Sequence, residues 1–394
     1  MAGRNGNGGR GRAKGKRNPV ARALSRLRHS AADVRWMRRA VDLAERGRFT
    51  VAPNPMVGAV VVRSGRVVGE GHHRLAGGPH AEIEALARAG ARARGATLYV
   101  SLEPCAHHGR TPPCTDAILA AGIARVVAAA RDPNPLVRGR GLARLGRAGV
   151  EVAWSRGEER LRAERQNEKF RVAVSRGRPF VLAKWAATLD GKIASGAGES
   201  RWITGEAARR RSLELREEFD AILVGAGTVL ADDPRLTRRL GRAEGIPHRR
   251  VVLDGRLRVP VTARVFSNPT TAIVATAVPK SHPAARRLAA RGVEVWSLPG
   301  RKRDLVDLPR LLRRLAGAGV SSLLVEGGAA TLWEFLRSGL VDRVTVFVAP
   351  RILGGSAAPG AVGGAGFPLA RTPRLEDLEW EAVGADLMLT GRVS

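Results

Sequence analysis

The feature that most constrains the fold is an alternation of strand and helix patterns that is interrupted once. Apolar runs rich in β-branched residues alternate with helical patterns up to about residue 154, and the alternation resumes after residue 179. Such alternation predicts layered α/β folds. The intervening segment, 155–179, is rich in charge and predicts a helical connector. We therefore expect two α/β domains, over 33–165 and 180–394, joined by a connector over 166–179.

Two local patterns in the first half make predictions that a structure can check directly. Apolar residues spaced three and four apart predict a helix from Ala32 to about Arg46. The sequence MVGAVVVRSGRVVGEG has two β-branched runs separated by Ser64 and Gly65, which predicts a β-hairpin.

Charge is the most unusual property of the whole chain. There are 67 Lys and Arg against 36 Asp and Glu, a net charge of +31. The first 30 residues carry nine of these cations, no acid and many glycines, so 1–32 is predicted to be a disordered tail. Most of the excess charge lies in the rest of the chain, where it suits an anionic phosphorylated substrate. The tail has no aromatic side chain for stacking on bases, so we do not expect a nucleic-acid partner.

Three further sequence features bear on the cellular location of the protein. No window approaches the roughly 18 uninterrupted apolar residues of a membrane helix, so no membrane association is expected. The basic N-terminus has no apolar stretch after it, which argues against a secretory signal. The two cysteines, Cys105 and Cys114, are too few for a disulfide framework and suit metal ligands or buried thiols. We expect a cytoplasmic protein, and homo-oligomerisation stays open.

The segment GPHAEIEALARAG suggests a metal centre. It places His80 and Glu82 at the start of a predicted helix, while Cys105 follows a predicted strand and Cys114 begins another predicted helix after two prolines. One imidazole and two thiolates suit zinc, and a catalytic zinc site keeps three protein ligands and an open position for water. Glu82 could then move protons without binding the metal, as in zinc-dependent nucleobase deaminases.

Alternatives to this metal centre exist. Deaminases of that class have two residues between their cysteines, whereas this chain has eight. His80 and Glu82 could instead cap a helix beside two buried thiols. Four further histidines compete for the place of the third ligand, and we rank them lower because none has a glutamate placed like Glu82: His72, His73, His107 and His108.

Longer motifs resemble a known family. TVAPNPMVGAVVV, GGPHAEIEAL, SLEPCAHHGRTPPC and ARDPNPLVRGRGLARLGRAGVEV resemble the deaminase half of the bifunctional deaminase and reductase of riboflavin biosynthesis, which shares the wide cysteine spacing. KWAATLDGKIA, GESRWITG, VGAGTVLADDPRLTRR and LLVEGGAATLWEFL resemble its reductase half. The resemblance covers about 33–394. It implies a cytidine-deaminase-like three-layer α/β/α domain followed by a dihydrofolate-reductase-like α/β domain.

The family implies two consecutive reactions on a small phosphorylated pyrimidine, a diaminopyrimidinone ribosylamino phosphate. A ring amino group is first hydrolysed, releasing ammonia, and NADPH then reduces the ribosyl group to ribityl. By resemblance, one Zn²⁺ per chain is held by His80, Cys105 and Cys114, and Glu82 is the catalytic proton shuttle. Asn54 is implied as a substrate contact, although a turn residue between two prolines would look the same.

The resemblance also implies residues for the reductase. Substrate contacts fall on Ser200, Arg216, Leu236, Arg239 and Glu326, and NADPH contacts on Ala186, Trp202, Thr228, Asp232, Gly328, Ala329, Ala330 and Thr331. The two arginines suit a phosphate, since a guanidinium offers forked donors, but ordinary surface charge is a strong alternative in so basic a chain. Gly255 departs from the family, which often has a cofactor-binding Ser at this position.

Two rival functions start from other features. A nucleic-acid deaminase acting on tRNA would explain the charge but neither the reductase motifs nor the cysteine spacing. A basic RNA-associated protein with structural zinc would require a fourth protein ligand and would release no ammonia.

Overall fold

The computed structural model describes residues 30–107, 112–134, 137–243, 245–246, 248–302 and 304–394. The predicted tail lies outside the described residues, apart from residues 30–32. Over the described part of the chain the strands form two separate sheets, one of five strands and one of nine. Two α/β units are therefore present, as the interrupted alternation predicts.

The N-terminal unit is built on a mixed sheet with the order β2-β1-β3-β4-β5. Its strands are β1 (Gly58–Arg63), β2 (Arg66–His72), β3 (Thr97–Leu102), β4 (Arg125–Ala130) and β5 (Glu151–Trp154). β1 runs antiparallel to both β2 and β3, whereas β3, β4 and β5 are parallel. Ser64 and Gly65 form the turn between β1 and β2, so the predicted hairpin is confirmed.

Helices cover both faces of this sheet. They are α1 (Ala31–Ala44), α2 (Ala81–Ala89), α3 (Cys114–Ala120), α4 (Arg140–Arg147) and α5 (Glu158–Gln166). α1 and α5 pack on one face, and α2, α3 and α4 on the other. The buried residues of α1, among them Met37, Ala40 and Val41, repeat the three- and four-residue spacing of the sequence. A 3₁₀ turn, Glu45–Gly47, extends this helix to about its predicted end.

The charge-rich segment between the units is helical, as predicted, but it contains a break. α5 ends at Gln166, and a new helix, α6 (Glu168–Arg176), begins after Asn167. Ala163 of α5 belongs to the core of the N-terminal unit, whereas Val172 of α6 packs against the core of the C-terminal unit. The two consecutive helices therefore belong to different cores.

The C-terminal unit has a nine-stranded sheet with the order β10-β9-β8-β7-β11-β6-β12-β14-β13. Its strands are β6 (Phe180–Thr188), β7 (Ala221–Gly225), β8 (Arg249–Leu253), β9 (Ala272–Thr276), β10 (Glu294–Ser297), β11 (Ser322–Glu326), β12 (Arg343–Ala349), β13 (Leu375–Val383) and β14 (Asp386–Val393). The strands from β10 to β12 pair in parallel, and β14 and β13 add an antiparallel edge.

Besides α6, five helices flank this sheet within the described residues: α7 (Glu206–Glu217), α8 (Ala226–Asp232), α9 (Pro283–Ala290), α10 (Leu308–Gly317) and α11 (Ala329–Arg337). α7, α8 and α9 contribute to one apolar cluster, and α10 and α11 to a second. The central strand β11 is buried along its whole length, and β6 at six of its nine residues, because the sheet is covered on both faces. Among the residues that the structure describes, no helix has the length and apolar character required to cross a bilayer.

Candidate functional site

Three side chains able to bind a metal converge in the N-terminal unit. His80 immediately precedes α2, Cys105 lies in the loop after β3, and Cys114 is the first residue of α3. Nδ1 of His80 lies 3.1 Å from Sγ of Cys114 and 3.8 Å from Sγ of Cys105. The three ligand atoms lie within 4.8 Å of one another. Zinc binds sulfur at about 2.3 Å and nitrogen at about 2.0 Å, so this donor set fits one zinc ion.

Local structure explains why these side chains meet. The backbone N–H of Cys114 donates to Sγ of Cys105 at 3.2 Å, which brings the start of α3 against the loop after β3. Hydrogen bonding to Cys114 lowers the pKa of Cys105 to about 4, and a thiolate is the form that binds zinc. Glu103 anchors the same loop, because its carboxylate accepts backbone N–H groups from Gly139 at 2.9 Å and Gly141 at 3.1 Å.

Glu82 lies in the first turn of α2 and its residue is only 3% exposed. Burial raises the pKa of this carboxyl group above its usual range, which makes Glu82 a stronger proton acceptor than an exposed carboxylate. His80 is the N-cap residue of α2, but its side chain makes no capping hydrogen bond and its Nδ1 faces the two sulfur atoms. The structure therefore does not support a capping role for the His80 side chain.

A cavity of about 180 Å³ opens beside these groups. Its lining comprises Asn54, Pro55, Val57, His73, His80, Glu82, Leu102, Glu103, Cys105, His107, Asp132, Asn134, Val137 and Phe170. Nδ1 of His107 is buried and has no hydrogen-bond partner within the described residues. Burial also raises the pKa of Asp132, to about 6. Both groups are suited to a polar ligand inside the cavity.

Asn54 lines this cavity, where the sequence predicts a substrate contact. Its Nδ2 lies 3.0 Å from Nε2 of His73, and Nδ1 of His73 lies 2.9 Å from the carbonyl oxygen of Pro79. That carbonyl can only accept, so the His73 proton is on Nδ1 and Nε2 accepts from Asn54. Burial lowers the pKa of His73, which favours the neutral ring that this arrangement requires. His73 thus fixes the orientation of the Asn54 amide.

The structure distinguishes His80 from the other histidines considered as metal ligands. Of those that the structure describes, His72, His73 and His107 lie outside the three-residue cluster, which contains His80. His108 lies outside the described residues. The cluster offers three protein ligands within this part of the chain, which corresponds to a catalytic zinc site with an open position.

In the C-terminal unit two of the predicted substrate residues bind each other. Arg216, at the end of α7, donates from Nε and Nη2 to the two carboxylate oxygens of Glu326, at 2.8 and 2.7 Å. Nζ of Lys184 on β6 lies 4.0 Å from the same carboxylate. Burial alone would raise the pKa of Glu326, but Arg216 and Lys184 lower it to about 2. The Arg216–Glu326 pair in this buried cluster is ionised, whereas burial lowers the pKa of Lys184.

Leu236 and Arg239 lie in the loop after α8 and are held against α7. The carboxylate of Glu217 accepts the backbone N–H of Arg239 at 2.9 Å, and Leu236 is buried with a left-handed backbone. Arg239 is therefore anchored by its backbone next to the helix turn that carries Arg216, and its side chain is exposed. The structure thus brings Arg216, Arg239 and Glu326 to one region.

The predicted cofactor residues of α8 and α11 also lie together. Gly225 ends β7 and Gly328 precedes α11. A Cβ atom on Gly225 would lie 2.2 Å from Oγ1 of Thr331, and one on Gly328 would lie 2.9 Å from Oγ1 of Thr228. A side chain at either glycine would require the facing threonine hydroxyl to move, so the two strand-to-helix turns are close together. The run 328–331 and Thr228 therefore border a common space at the ends of β7 and β11, where open α/β sheets bind their ligands.

The remaining predicted residues are more scattered. Arg201 donates to the carbonyl oxygen of Asp232 at 2.9 Å, which joins the segment containing Ser200 and Trp202 to the end of α8. The indole of Trp202 is 63% exposed, and the Arg209 guanidinium lies 4.7 Å from its ring centroid. Ala186 lies on β6, paired in register with Phe347.

The structure explains why position 255 is a glycine. A Cβ atom at this position would lie 1.8 Å from the carbonyl oxygen of Asp304. The backbone of the 304 loop therefore occupies the space that a side chain at position 255 would need. The sequence identified the departure but not the neighbouring loop that requires it.

Sequence reasoning missed several residues in these regions. Lys184 lies in the motif KWAATLDGKIA; its side chain is 13% exposed, and its Nζ lies 4.0 Å from the Glu326 carboxylate. Asp132 and Asn134 lie in the quoted segment ARDPNP, and the shared Pro-Asn-Pro of that segment and of residues 53–55 was the available signal. Phe170 lies in the connector, where no motif drew attention to it.

Comparison with known proteins identifies the family. Residues 179–389 match the RibD C-terminal domain, and residues 30–130 match the cytidine and deoxycytidylate deaminase zinc-binding region. The chain is 45% identical over 331 residues to the riboflavin biosynthesis protein RibD of Aquifex aeolicus, covering 84% of this chain and 90% of that protein. The chain belongs to the RibD family.

Further RibD proteins support the assignment over nearly the whole length. The Escherichia coli RibD is 43% identical over 369 residues, covering 91% of this chain and 98% of its own. A solved structure of Acinetobacter baumannii RibD superposes with a TM-score of 0.81 at 38% identity, covering 92% of this chain and 99% of that chain. A Thermotoga maritima structure, described as a diaminohydroxyphosphoribosylaminopyrimidine deaminase and 5-amino-6-(5-phosphoribosylamino)uracil reductase, gives 0.80 at the same identity.

RibD membership confirms the fold that the motifs imply, a cytidine-deaminase-like unit followed by a dihydrofolate-reductase-like unit. The protein is a bifunctional deaminase and reductase of riboflavin biosynthesis, with a zinc-binding deaminase half and a reductase half that uses NADPH. Its substrate is a small pyrimidine. The tRNA deaminase alternative is not supported, because the second half is a RibD reductase domain.

Proposed function

We propose that this chain performs both reactions on a phosphorylated pyrimidine, with the sites divided as follows. Residues 33–165 carry the deamination of the diaminopyrimidinone ribosylamino phosphate, residues 180–394 carry the reduction of its ribosyl group, and 166–179 join them. The observation that carries the proposal is the His80, Cys105 and Cys114 cluster beside a cavity with a buried Glu82.

In the deaminase reaction, His80, Cys105 and Cys114 hold the zinc ion. When bound, zinc supplies a Lewis acid that activates water. Glu82 accepts one proton as the water oxygen bonds to the amino-bearing ring carbon and passes it to the ring nitrogen. It then accepts the proton of the newly formed hydroxyl group and delivers it to the departing amine. The carbon–nitrogen bond breaks, ammonia leaves and a ring carbonyl remains. Asn54, oriented by His73, hydrogen-bonds the pyrimidine in the cavity.

In the reductase reaction, NADPH supplies the reducing equivalent. The close approach at Gly328, with Ala329, Ala330, Thr331 and Thr228, supports a binding place for its phosphates near the N-terminus of α11. The other cofactor contacts are Ala186, Trp202 and Asp232. We propose preference for NADPH over NADH, because the cationic surroundings favour an additional phosphate.

The substrate side of the reductase follows from the arginines. Arg239 has an exposed side chain, and Arg216 uses Nε and Nη2 for Glu326, which leaves Nη1 as a further donor toward a phosphate oxygen. Ser200 and Leu236 complete the set of proposed contacts. Glu326, held ionised, is an acceptor for sugar hydroxyls. We place the enzyme in the cytoplasm, where thiols stay reduced and both Cys105 and Cys114, which are free, could bind zinc.

The decisive experiment gives the diaminopyrimidinone ribosylamino phosphate to the full-length protein and measures ammonia release and NADPH oxidation together. We expect ammonia release without NADPH, and NADPH oxidation only after deamination or when the deaminated substrate is supplied. The Cys114→Ser variant should lose zinc and ammonia release together. Zinc at one ion per chain in Cys114→Ser would remove Cys114 from the ligand set.

A further inference from the structure

The connector contributes a side chain to the cavity of the N-terminal unit. Phe170 of α6 lines this cavity, whereas the other lining residues all belong to the N-terminal unit. The other apolar lining residues are aliphatic or proline, and Phe170 is the phenyl ring among them. The cavity is therefore closed by an aromatic group from a segment that leads into the other unit.

The position of Phe170 is fixed by its neighbour Asn167. Asn167 is 2% exposed. Its Oδ1 accepts the backbone N–H of Met56 at 2.8 Å, and its Nδ2 donates to the Met56 carbonyl oxygen at 2.9 Å. Met56 is two residues after Asn54, so the same amide that begins α6 also holds the loop that carries Asn54. The Asn167 amide therefore positions both Asn54, which lines the cavity with a polar group, and Phe170, which lines it with an aromatic ring.

The two residues between them face the C-terminal unit. Glu168 accepts a hydrogen bond from Arg343 at 3.0 Å, and Nζ of Lys169 donates to the carbonyl oxygen of Glu218 at 2.7 Å. The ammonium of Lys169 also lies 4.2 Å from the ring centroid of Phe219. The first turn of α6 is therefore held from both sides, and Phe170 is restrained from moving out of the cavity.

We propose that Phe170 contacts the pyrimidine ring of the substrate during deamination, so that the connector supplies a specificity residue of the deaminase site. The inference rests on the proposed function. A flat heterocycle offers an apolar face, and contact between aromatic rings stabilises binding by about 0.5–1.5 kcal/mol beyond the area buried. An aliphatic side chain of similar volume would bury the same surface without this preference for a flat ring.

The test compares Phe170→Ala, Phe170→Leu and Phe170→Tyr in the full-length protein. The control is Val172→Ala, which shortens a side chain on the same helix that packs on the C-terminal core instead. Ammonia release from the diaminopyrimidinone ribosylamino phosphate gives KM and kcat, and zinc content and NADPH oxidation with the deaminated substrate are measured alongside.

We expect Phe170→Ala and Phe170→Leu to raise the KM for deamination by several-fold to about tenfold, with a smaller change in kcat. Phe170→Tyr should stay close to the wild type, and zinc content and reductase activity should be unchanged in all three. Val172→Ala should leave the KM for deamination unaltered.

A wild-type KM in Phe170→Leu would overturn the proposal, because volume alone would then suffice. A parallel loss of reductase activity and thermal stability in Phe170→Leu would also overturn it, by assigning Phe170 to the joint between the units. Absence of ammonia release from the wild-type enzyme would instead refute the proposed function, so the two failures are distinguishable.

Discussion

The two candidate sites differ in how their functional side chains are arranged when no ligand is bound. In the N-terminal unit three ligand atoms already converge and only the metal ion is needed to join them. In the C-terminal unit the strongest charges, Arg216 and Glu326, are already paired with each other. A small ion can be accommodated by rigid strand ends and helix starts. Buried charges that await a larger anionic ligand need a partner within the protein, since an unpaired buried charge is costly.

The largest effect should come from Glu82→Ala. This change removes the group that moves protons in deamination, and a single general acid or base contributes roughly 10² to 10⁴ in rate. The loss should lie at the upper end, because one carboxylate serves several transfers. Zinc should stay bound, and NADPH oxidation with the deaminated substrate should continue. Ammonia release at the wild-type rate would refute the role of Glu82.

Arg216→Ala should have the next largest effect and should be confined to the reductase. A hydrogen bond to a charged group contributes about 1.5–3 kcal/mol, so kcat/KM for reduction should fall by roughly one to two orders of magnitude. The control is Arg210→Ala, which removes an exposed cation from the same helix. Equal activities of the two variants would show that Arg216 has no part in substrate binding.

The pair itself can be examined with Glu326→Gln. If Arg216 serves mainly to neutralise Glu326, the double variant with Arg216→Ala should be more stable than Arg216→Ala alone, because no unpaired carboxylate remains buried. Thermal unfolding of the three variants measures this. Additive losses of stability would mean that the two side chains act independently.

Gly255→Ser should have a smaller effect. The resemblance to the family suggests that a serine here would improve NADPH binding, whereas we expect it to weaken binding. The new side chain would meet the carbonyl oxygen of Asp304, and such overpacking costs about 1–3 kcal/mol. We expect a lower melting temperature and a higher KM for NADPH. Gly317→Ser is a suitable control, because a Cβ atom there has no described neighbour within 4 Å. A lower KM for NADPH in Gly255→Ser would show that the loop yields and the serine contact is restored.

Deletion of residues 1–29, which leaves the Ser30 cap of α1 in place, should have the smallest effect on either site. The tail lies outside every catalytic motif, and its composition cannot bury a core. Both activities should be unchanged at low and at high salt. A large loss at low salt alone would assign the tail to the capture of the anionic substrate.

The sequence predicted the N-terminal site more fully because its signals are local. Helix starts at His80 and Cys114 follow from nearby prolines and apolar spacing, and each start orients its own first side chain. The pairing of Arg216 with Glu326 joins residues 110 positions apart on different elements. No periodicity reports which strand a helix end will face, so a motif could suggest both residues but not their contact.

The missed residues share a related cause. Phe170 is surrounded by Glu168, Lys169 and Arg171, so its segment has the composition of a solvated connector. Its contact with the cavity depends on the break at Asn167, where α5 ends and α6 begins. Asn167 has no local signature for binding Met56, because that hydrogen-bond pair spans 111 residues. The alternation of strands and helices, by contrast, depends only on local spacing and was predicted correctly.

The break at Asn167 has a consequence for engineering chimeric enzymes. Four consecutive residues contact two different units. Asn167 and Phe170 contact the N-terminal unit. Glu168 binds Arg343 and Lys169 binds the Glu218 carbonyl oxygen, both in the C-terminal unit. If a chimera is joined before or after this turn, two of the four residues are separated from the unit that they contact. Fusion of this deaminase to a foreign reductase therefore requires an interleaved junction that keeps 167 and 170 and takes 168 and 169 from the new partner.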